Sequence, residues 1–440
     1  MIFKVRVEVI SNLFIAAIFL FFLLRIYPYS NPYPFADDWT YAGVLGTGWA
    51  NTLKWVLALH NDHRIPLMKL LQYTTLRATY FDFRSLVLIN FAIGVIGSIS
   101  LSEIARNYRG KSHIGDIIIP MVLLNFGTGF MGWGFSAQFL LSVSSSLVAI
   151  LFFQRSENSN RARVAATLAM LVCALSGMNG IVLAVSLAAC FLLFYLFVQK
   201  QNAACIGPGL VLALCALLLV TWTPSAASVS PTQTPSGQLL DWIYQFSKSS
   251  FIVSASHGGW WRAALCVGLI STAVSFAAQR TLRSLQREKQ SPSEFAVYAA
   301  LAAYITLFFS VVIGRSAHGA WEPGLEMHYG YLAAPIPILS WIVISRFLRG
   351  PAALIVAGSL IVVYAQSFVE NTAWRMAHLR SQYAHLEQIG ADLRSDAPPA
   401  IVTEKDIKFL YHVDTPDVRQ QVIGGIEKLR QFGGPIYGRP

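Results

Sequence analysis

Two adjacent carboxylates, Asp37 and Asp38, follow the first apolar run of the chain. A carboxylate in such a place can act as a general base that takes a proton from an attacking hydroxyl group. The competing interpretation is a helix cap or a solvated loop, for which aspartate is equally suited. The next residue, Trp39, offers a flat ring on which a substrate can stack, or an anchor at a membrane surface. Asp37 and Asp38 are therefore candidate catalytic residues, and Trp39 is a candidate substrate contact.

A second polar group, His60-Asn61-Asp62-His63-Arg64, lies further along the same segment. Arg64 presents a planar fork of donors that suits a phosphate or diphosphate, and His63 can assist it. His60 and Asp62 are candidates for positioning a substrate. The spacing of His60 and His63 also allows a metal site, but the expected helix break in this segment does not favour one. The alternative interpretation is an interfacial polar turn.

A third polar group crowds into residues 314–331. Arg315 directly follows an apolar run, at the depth where a lipid phosphate would lie, and His328 is a second candidate for phosphate binding. Glu322 and Tyr329 are candidates for positioning a substrate. The alternative role for Arg315 is an interfacial anchor whose side chain extends to the membrane surface.

The composition indicates what kind of protein must position these groups. The chain has 440 residues, of which 55% are hydrophobic and 12% are charged, with a net charge of +11. A soluble domain carries about 25% charged residues, so this chain has too few to cover a water-facing surface. The sequence predicts an all-α polytopic protein in the lipid bilayer. Its basic excess then indicates loops held at the cytoplasmic face, and no nucleic-acid partner is expected.

Eleven apolar runs predict about eleven transmembrane helices. The first run has no small-residue cleavage site behind it, so we expect an uncleaved anchor whose start is cytoplasmic. No Asp, Glu, Lys or Arg lies in the middle of any run, and ion-coupled transporters usually need such residues there. The runs are 13–24, 85–104, 114–126, 135–153, 164–176, 181–198, 205–222, 260–278, 295–313, 331–344 and 352–369.

The distribution of basic residues predicts the orientation of these helices. Lys and Arg fall in alternate connections, as the positive-inside rule requires of cytoplasmic loops. The rule places residues 28–84, 223–259 and 314–330, and the tail from residue 370, on the outer side. The basic connections contain Arg106, Arg109, Lys111, Arg155, Arg161, Arg163, Lys200, Arg280, Arg283, Arg287, Lys289, Arg346 and Arg349.

The first outer loop, residues 28–84, is expected to contain two short amphipathic helices at 52–59 and 65–80. Leucines such as Leu70 form an apolar stripe on the second of them, with Lys69 elsewhere. Such helices lie flat at a lipid surface, so they would hold the acidic pair near the headgroups.

The tail, residues 370–440, has an ordinary soluble composition. Apolar residues at helical spacing predict a helix over 370–394, which the two following prolines end. Residues 401–413 are expected to supply strands, and 418–432 a further helix. We therefore expect a membrane module, 1–369, and a small α+β external segment, 370–440, that packs on it because seventy residues make a marginal core.

Together these features resemble the GT-C superfamily of polytopic glycosyltransferases, which includes protein O-mannosyltransferases and lipid A aminoarabinose transferases. The similar features are a cytoplasmic anchor, an acidic pair right after the first span, two interfacial helices, many spans and an external C-terminal part. The stretches HNDHRIPLMKLL and GR…HYGY also resemble those of uncharacterised bacterial integral membrane proteins assigned to this group.

The resemblance implies sugar transfer from a polyprenyl-phosphate donor to a cell-envelope glycan, lipid or protein. The reaction would be an inverting displacement at the periplasmic face of the bacterial inner membrane, with Asp37 or Asp38 as the base and Asp37 preferred. Relatives often have Arg-Tyr where this chain has His328-Tyr329, which puts the phosphate role of His328 in question. No cofactor is assigned, and a divalent metal, used by some members, is not favoured.

Three other classes stay open. An O-antigen polymerase or ligase would concentrate Arg and His in one large late outer loop, whereas the late loops here are modest. A transporter or flippase for an envelope lipid would carry charged groups along the interior of the bundle. A non-catalytic scaffold would need none of the polar groups described above.

Overall fold

The computed structural model of the chain describes residues 2–60, 64–126, 133–157, 159–222, 236–251, 259–287, 291–315, 327–411 and 413–437. These residues form helices joined by short turns and contain no β-strand, as the sequence predicts for the membrane region. The α-helices are α1 Ile2–Phe21, α2 Trp39–Gly43, α3 Trp49–Leu57, α4 Pro66–Ala78, α5 Arg84–Arg109, α6 Ile118–Leu123, α7 Ala137–Gln154, α8 Asn160–Ala174, α9 Met178–Leu193, α10 Ile206–Val220, α11 Ser236–Ser249, α12 Trp260–Arg287, α13 Pro292–Arg315, α14 Met327–Ala333, α15 Pro335–Ser345, α16 Gly350–Arg394, α17 Pro399–Leu410 and α18 Pro416–Phe432.

Within the described ranges, eight helices are long and apolar enough to cross a membrane, which is the architecture of a multi-pass membrane protein. Three of the eleven predicted runs instead fall in the shorter helices Ile114–Leu123, Asn160–Ala174 and Tyr329–Ser345. At about 1.5 Å of rise per residue these do not reach across the ~30 Å of a hydrocarbon core. The prediction of eleven full-length spans is therefore not confirmed. The eight long segments are Val7–Tyr29, Arg84–Arg109, Gly134–Gln154, Met178–Gln199, Asn202–Val220, Trp260–Leu282, Pro292–Gly314 and Gly350–Arg394.

The two short helices predicted in the first loop are both present, as α3 and α4. Pro66 occupies the first turn of α4, where its missing N–H is not needed. The polar side of α4 faces inward, because Lys69 and Gln72 are buried while Leu70 is exposed. The exposed apolar stripe suits contact with lipid, and the buried polar side leads to the acidic pair.

The predicted strands in the tail are wrong. Residues 401–413 lie mostly in α17, which begins at Pro399. The residues that α17 buries, Val402, Thr403, Asp406, Ile407 and Leu410, recur at spacings of three and four positions, which is the period of a helix face and not of a strand. The described part of the tail is thus helical, and the α+β description of this segment is corrected.

The tail packs against the first loop at one end of the bundle, which we call the capped end. The long helix α16 runs without a break through residues 369 and 370, and α17 and α18 then fold back over α2. One hydrophobic cluster joins the first loop to the tail. Its members include Trp39, Tyr41, Leu45, Phe81, Leu86, Ile389, Leu393, Ile407, Val422, Ile426 and Leu429.

At the opposite end, ion pairs join the basic connections predicted to be cytoplasmic. Glu103 pairs with Arg106 and lies 3.3 Å from Arg155, and Glu294 pairs with Arg346 at 2.5 Å. These residues come from separate connections in the chain, so the structure gathers several basic connections at one end, away from the acidic pair.

Candidate functional site

The acidic pair lies in a short 3-10 turn, Ala36–Asp38, which leads directly into α2. Ala36 has a φ of +53°, in the left-handed region that costs a residue with a Cβ atom about 1–2 kcal/mol. Such backbone strain persists only where the surroundings impose it. Here Ala36 and Asp38 are both buried, and the turn gives the two carboxylates different environments.

Asp38 is the buried member of the pair, with 3% of its surface exposed. Its Oδ2 accepts a hydrogen bond from the Gly134 backbone N–H at 3.3 Å. Within the described residues its Oδ1 has no hydrogen-bond partner. Burial first, and then the charge of Asp37, raise the pKa of Asp38 to about 8. Asp38 is therefore protonated at neutral pH and can donate a hydrogen bond.

Asp37 is more open, with 19% of its side chain exposed. Its Oδ1 lies 3.4 Å from His60 Nε2, an ion-pair distance, and accepts a hydrogen bond from the Tyr411 hydroxyl at 3.4 Å. The ring of His60 is held against Phe135, with the centroids 4.4 Å apart. Burial, and then the Asp37 charge, raise the pKa of Tyr411 to about 12, so Tyr411 remains a donor.

Sequence reasoning missed Tyr411 because it lies 374 positions from Asp37 in the chain. It directly follows α17, and the position of that helix against the first loop brings its hydroxyl to the carboxylate. No local pattern marks Tyr411, since the contact depends on how the tail folds.

Amide side chains fix the backbone beside Asp38. Gln72 on α4 accepts a hydrogen bond from the Tyr41 hydroxyl and donates one to the Gly134 carbonyl. Asn90 on α5 donates to the Trp133 carbonyl at 3.1 Å. Sequence reasoning missed these amides too, although Asn90 carries a usable signal as a polar residue inside an apolar run.

Several buried polar atoms around the pair have no hydrogen-bond partner in the part of the chain that the structure describes. Three of them form no hydrogen bond or ion pair there, Trp133 Nε1, Asp38 Oδ1 and Asn90 Oδ1, and His60 Nε2 has the Asp37 carboxylate at 3.4 Å but no hydrogen bond. Buried polar atoms in native proteins nearly always have a partner, whether protein, water or ligand. A group of both nitrogens and oxygens suits a ligand with hydroxyl groups, which can donate and accept at once.

We predict that Gly134→Ala damages this site. A Cβ at position 134 would lie 2.5 Å from Leu86 Cδ1 and 3.0 Å from Asp38 Oδ1. The overpacking should cost about 1–3 kcal/mol, measured as a lower unfolding temperature. Gly43→Ala in α2 is the matched control, because nothing lies within 4 Å of its added Cβ. An equal effect of the two changes would contradict the close packing at Gly134.

The structure gives two other predicted site residues contacts of their own. Trp39 is fully buried, and its Nε1 donates to the Leu410 carbonyl at 3.0 Å, so its ring packs the tail and offers no open face for stacking. Arg64 donates through Nη2 to the Thr221 carbonyl at 2.6 Å, at the C-terminal end of α10. This is a favourable place for a cation because the end of a helix carries partial negative charge.

The remaining predicted residues divide between described and undescribed parts of the chain. Tyr329 on α14 is buried, with its ring 6.0 Å from that of Trp242. Asp62, His63 and Glu322, and the side chains of Arg315 and His328, lie outside the described residues. Of the predicted set, the structure thus brings together Asp37, Asp38 and His60.

No group of three or more His, Cys, Asp or Glu side chains that could hold a metal ion occurs among the described residues.

No family model, no curated protein and no solved structure matches this chain. The resemblance to the GT-C superfamily accordingly stands on the sequence features that suggested it. The geometry of the acidic pair is the independent basis for assigning a function.

Proposed function

We propose that this protein is a membrane glycosyltransferase that moves a sugar from a polyprenyl-phosphate donor to a hydroxyl group of a cell-envelope glycan, lipid or protein. The observation that carries the proposal is the division of the acidic pair into a buried, neutral Asp38 and a more open Asp37. Two carboxyl groups held in different environments can perform two different roles in one reaction.

Asp37 acts as the general base in this proposal. It takes the proton of the acceptor hydroxyl, whose oxygen attacks C1 of the donor sugar from the face opposite the phosphate. The bond between C1 and the phosphate oxygen breaks, polyprenyl phosphate leaves with the electron pair, and the configuration at C1 inverts. His60 and Tyr411 hold the Asp37 carboxylate in place.

Asp38 has a binding role. As a neutral carboxyl group with an unpartnered Oδ1, it donates a hydrogen bond to a sugar hydroxyl without adding a second negative charge. Asp62, Glu322 and Tyr329 are proposed as further contacts to the sugar or the acceptor. Trp39 is left out of the proposed contacts because its ring is covered by the tail.

In this proposal, cationic side chains near the membrane surface bind the phosphate of the donor. Arg64 and Arg315 are the proposed ligands, with His63 and His328 beside them. A donor of this kind needs an apolar groove between spans for its tail, and a GT-C arrangement would supply one. No metal is included in the proposed reaction.

The reaction is proposed to take place at the periplasmic face of a bacterial inner membrane, with a cytoplasmic N-terminus and a periplasmic C-terminus. This orientation needs an odd number of crossings, so a segment with one of the shorter apolar helices would complete a crossing beside the eight long helices. The gathering of arginines such as Arg106, Arg155 and Arg346 at the end opposite the acidic pair supports this orientation, because basic loops remain on the cytoplasmic side.

The test is a transfer assay with the purified full-length protein. Polyprenyl-phosphate sugars with a radiolabelled sugar are offered together with envelope glycan, lipid or protein fractions. We expect one donor to yield labelled acceptor and an equal amount of released polyprenyl phosphate. The Asp37→Asn, Asp38→Asn double variant is the negative control. If this variant and the wild-type protein label the acceptor equally, the proposed sugar transfer at the acidic pair is contradicted.

A further inference from the structure

The long helix α16 carries a buried arginine that has no counter-charge among the described residues. Arg375 is 6% exposed, and its Nε is buried without a hydrogen-bond partner. Within the described part of the chain no carboxylate forms an ion pair with it. Because an arginine keeps its charge at any ordinary pH, its burial without a compensating anion is strongly destabilising. A native protein is expected to supply that anion.

The neighbours of Arg375 on α16 show which face of the helix it occupies. Asn371, one turn before it, donates to Asn125 Oδ1 at 3.0 Å. Leu379, one turn after it, packs in a cluster that includes Phe126. Residues four apart share one face of a helix, so Arg375 lies on the face that packs against the bundle. An interfacial anchor would instead have its guanidinium at the surface.

The depth of Arg375 follows from the length of α16. The helix begins at Gly350, and twenty-five residues at about 1.5 Å each place Arg375 about 37 Å along it. That distance exceeds the ~30 Å hydrocarbon core and reaches the level of the lipid headgroups. Two turns further on, Tyr383 packs against Tyr29, with the rings 5.2 Å apart, so this is the capped end.

We infer that Arg375 binds a phosphate group, in a site on the bundle-facing side of α16 beside Asn371. Phosphate is the anion found at headgroup depth, and a guanidinium fork matches it with two hydrogen bonds. The phosphate belongs either to a lipid headgroup or to a soluble molecule. This inference does not rest on the proposed sugar transfer, and any membrane protein with this geometry would need the same anion.

The test measures thermal unfolding of the full-length protein in a phosphate-free detergent. Inorganic phosphate is added in one arm and micelles of phosphatidic acid in the other, since a ligand that binds the folded state raises the unfolding temperature. A rise with phosphatidic acid alone assigns a lipid headgroup, and a rise with inorganic phosphate assigns a soluble one. No rise in either arm overturns the inference.

Two variants identify Arg375 as the ligand. Arg375→Gln should abolish the rise, while Arg380→Gln, an exposed arginine on the same helix, should keep it. Without phosphate, Arg375→Gln should unfold at the wild-type temperature or above, because it removes an uncompensated buried charge. A lower temperature that Arg375→Lys restores would mean a partner within the protein, and would overturn the inference while leaving sugar transfer untouched.

Discussion

Replacing Asp37 with asparagine is expected to slow sugar transfer by about 10²–10⁴-fold at neutral pH, which is the usual contribution of a general base. The amide cannot take the proton of the acceptor hydroxyl, while its size and its contacts with His60 and Tyr411 are nearly unchanged. The measurement is the initial rate of label transfer from the lipid-linked donor at saturating acceptor.

The Asp38→Asn protein is the companion to that experiment. Asp38 is neutral at neutral pH, so an amide replaces a neutral group of the same shape, and we expect a loss of no more than about tenfold, the scale of one hydrogen bond. Asp417→Asn, at an exposed position of α18, controls for expression and membrane insertion. A full loss in Asp38→Asn with an active Asp37→Asn would reverse the two roles.

Trp39→Ala is expected to lower the free energy of unfolding of the capped end by about 3–5 kcal/mol. Trp39 is fully buried, packs where Gly425 leaves room for its ring, and bonds to the Leu410 carbonyl. Its removal leaves a cavity and an unpaired carbonyl next to Tyr411. The measurement is the unfolding temperature together with protease cleavage in the tail.

Trp49→Ala is the matched control for the loss of a tryptophan from the same loop. Trp49 is 67% exposed, so its removal should change stability by no more than about 0.5 kcal/mol. A Trp39→Ala protein as stable and as protease-resistant as Trp49→Ala would contradict the role of Trp39 in joining the first loop to the tail.

The parts of this molecule that the sequence predicted correctly are set by local patterns. Apolar runs long enough to span a bilayer predict helices directly, and the amphipathic spacing in the first loop located α3 and α4. In these places the nearest residues in the chain decide the structure.

The predictions that failed or were missing depend on contacts between distant parts of the chain. The tail segment 401–413 was expected to form strands, but its buried positions follow a helical period because α17 packs one face on the first loop. Tyr411 reaches Asp37 from the residue after α17, and Gly134 reaches Asp38 from the turn before α7. No local spacing could have predicted them.

The burial of a charged residue also depends on contacts between distant parts of the chain, which local spacing does not predict. Lys69 was expected only to lie away from the apolar stripe of α4, and the structure shows that it is buried. Its Nζ donates to the Trp55 and Ala58 carbonyls, both at 2.9 Å, at the end of α3. Burial lowers the pKa of Lys69 to about 8. From composition alone a charged residue is expected at the surface. Only the folded structure shows which charged residues, such as Lys69, are buried.

Infrared titration of the carboxyl groups tests most directly whether Asp38 holds a proton in its buried place beside Asp37. The difference spectrum between wild-type protein and Asp38→Asn should contain the band of a protonated carboxyl group at neutral pH. Because the pKa of Asp38 is raised to about 8, this band should fade only as the pH rises through about 8. A band that is already gone above about pH 5, as for an ordinary aspartate, would contradict the account.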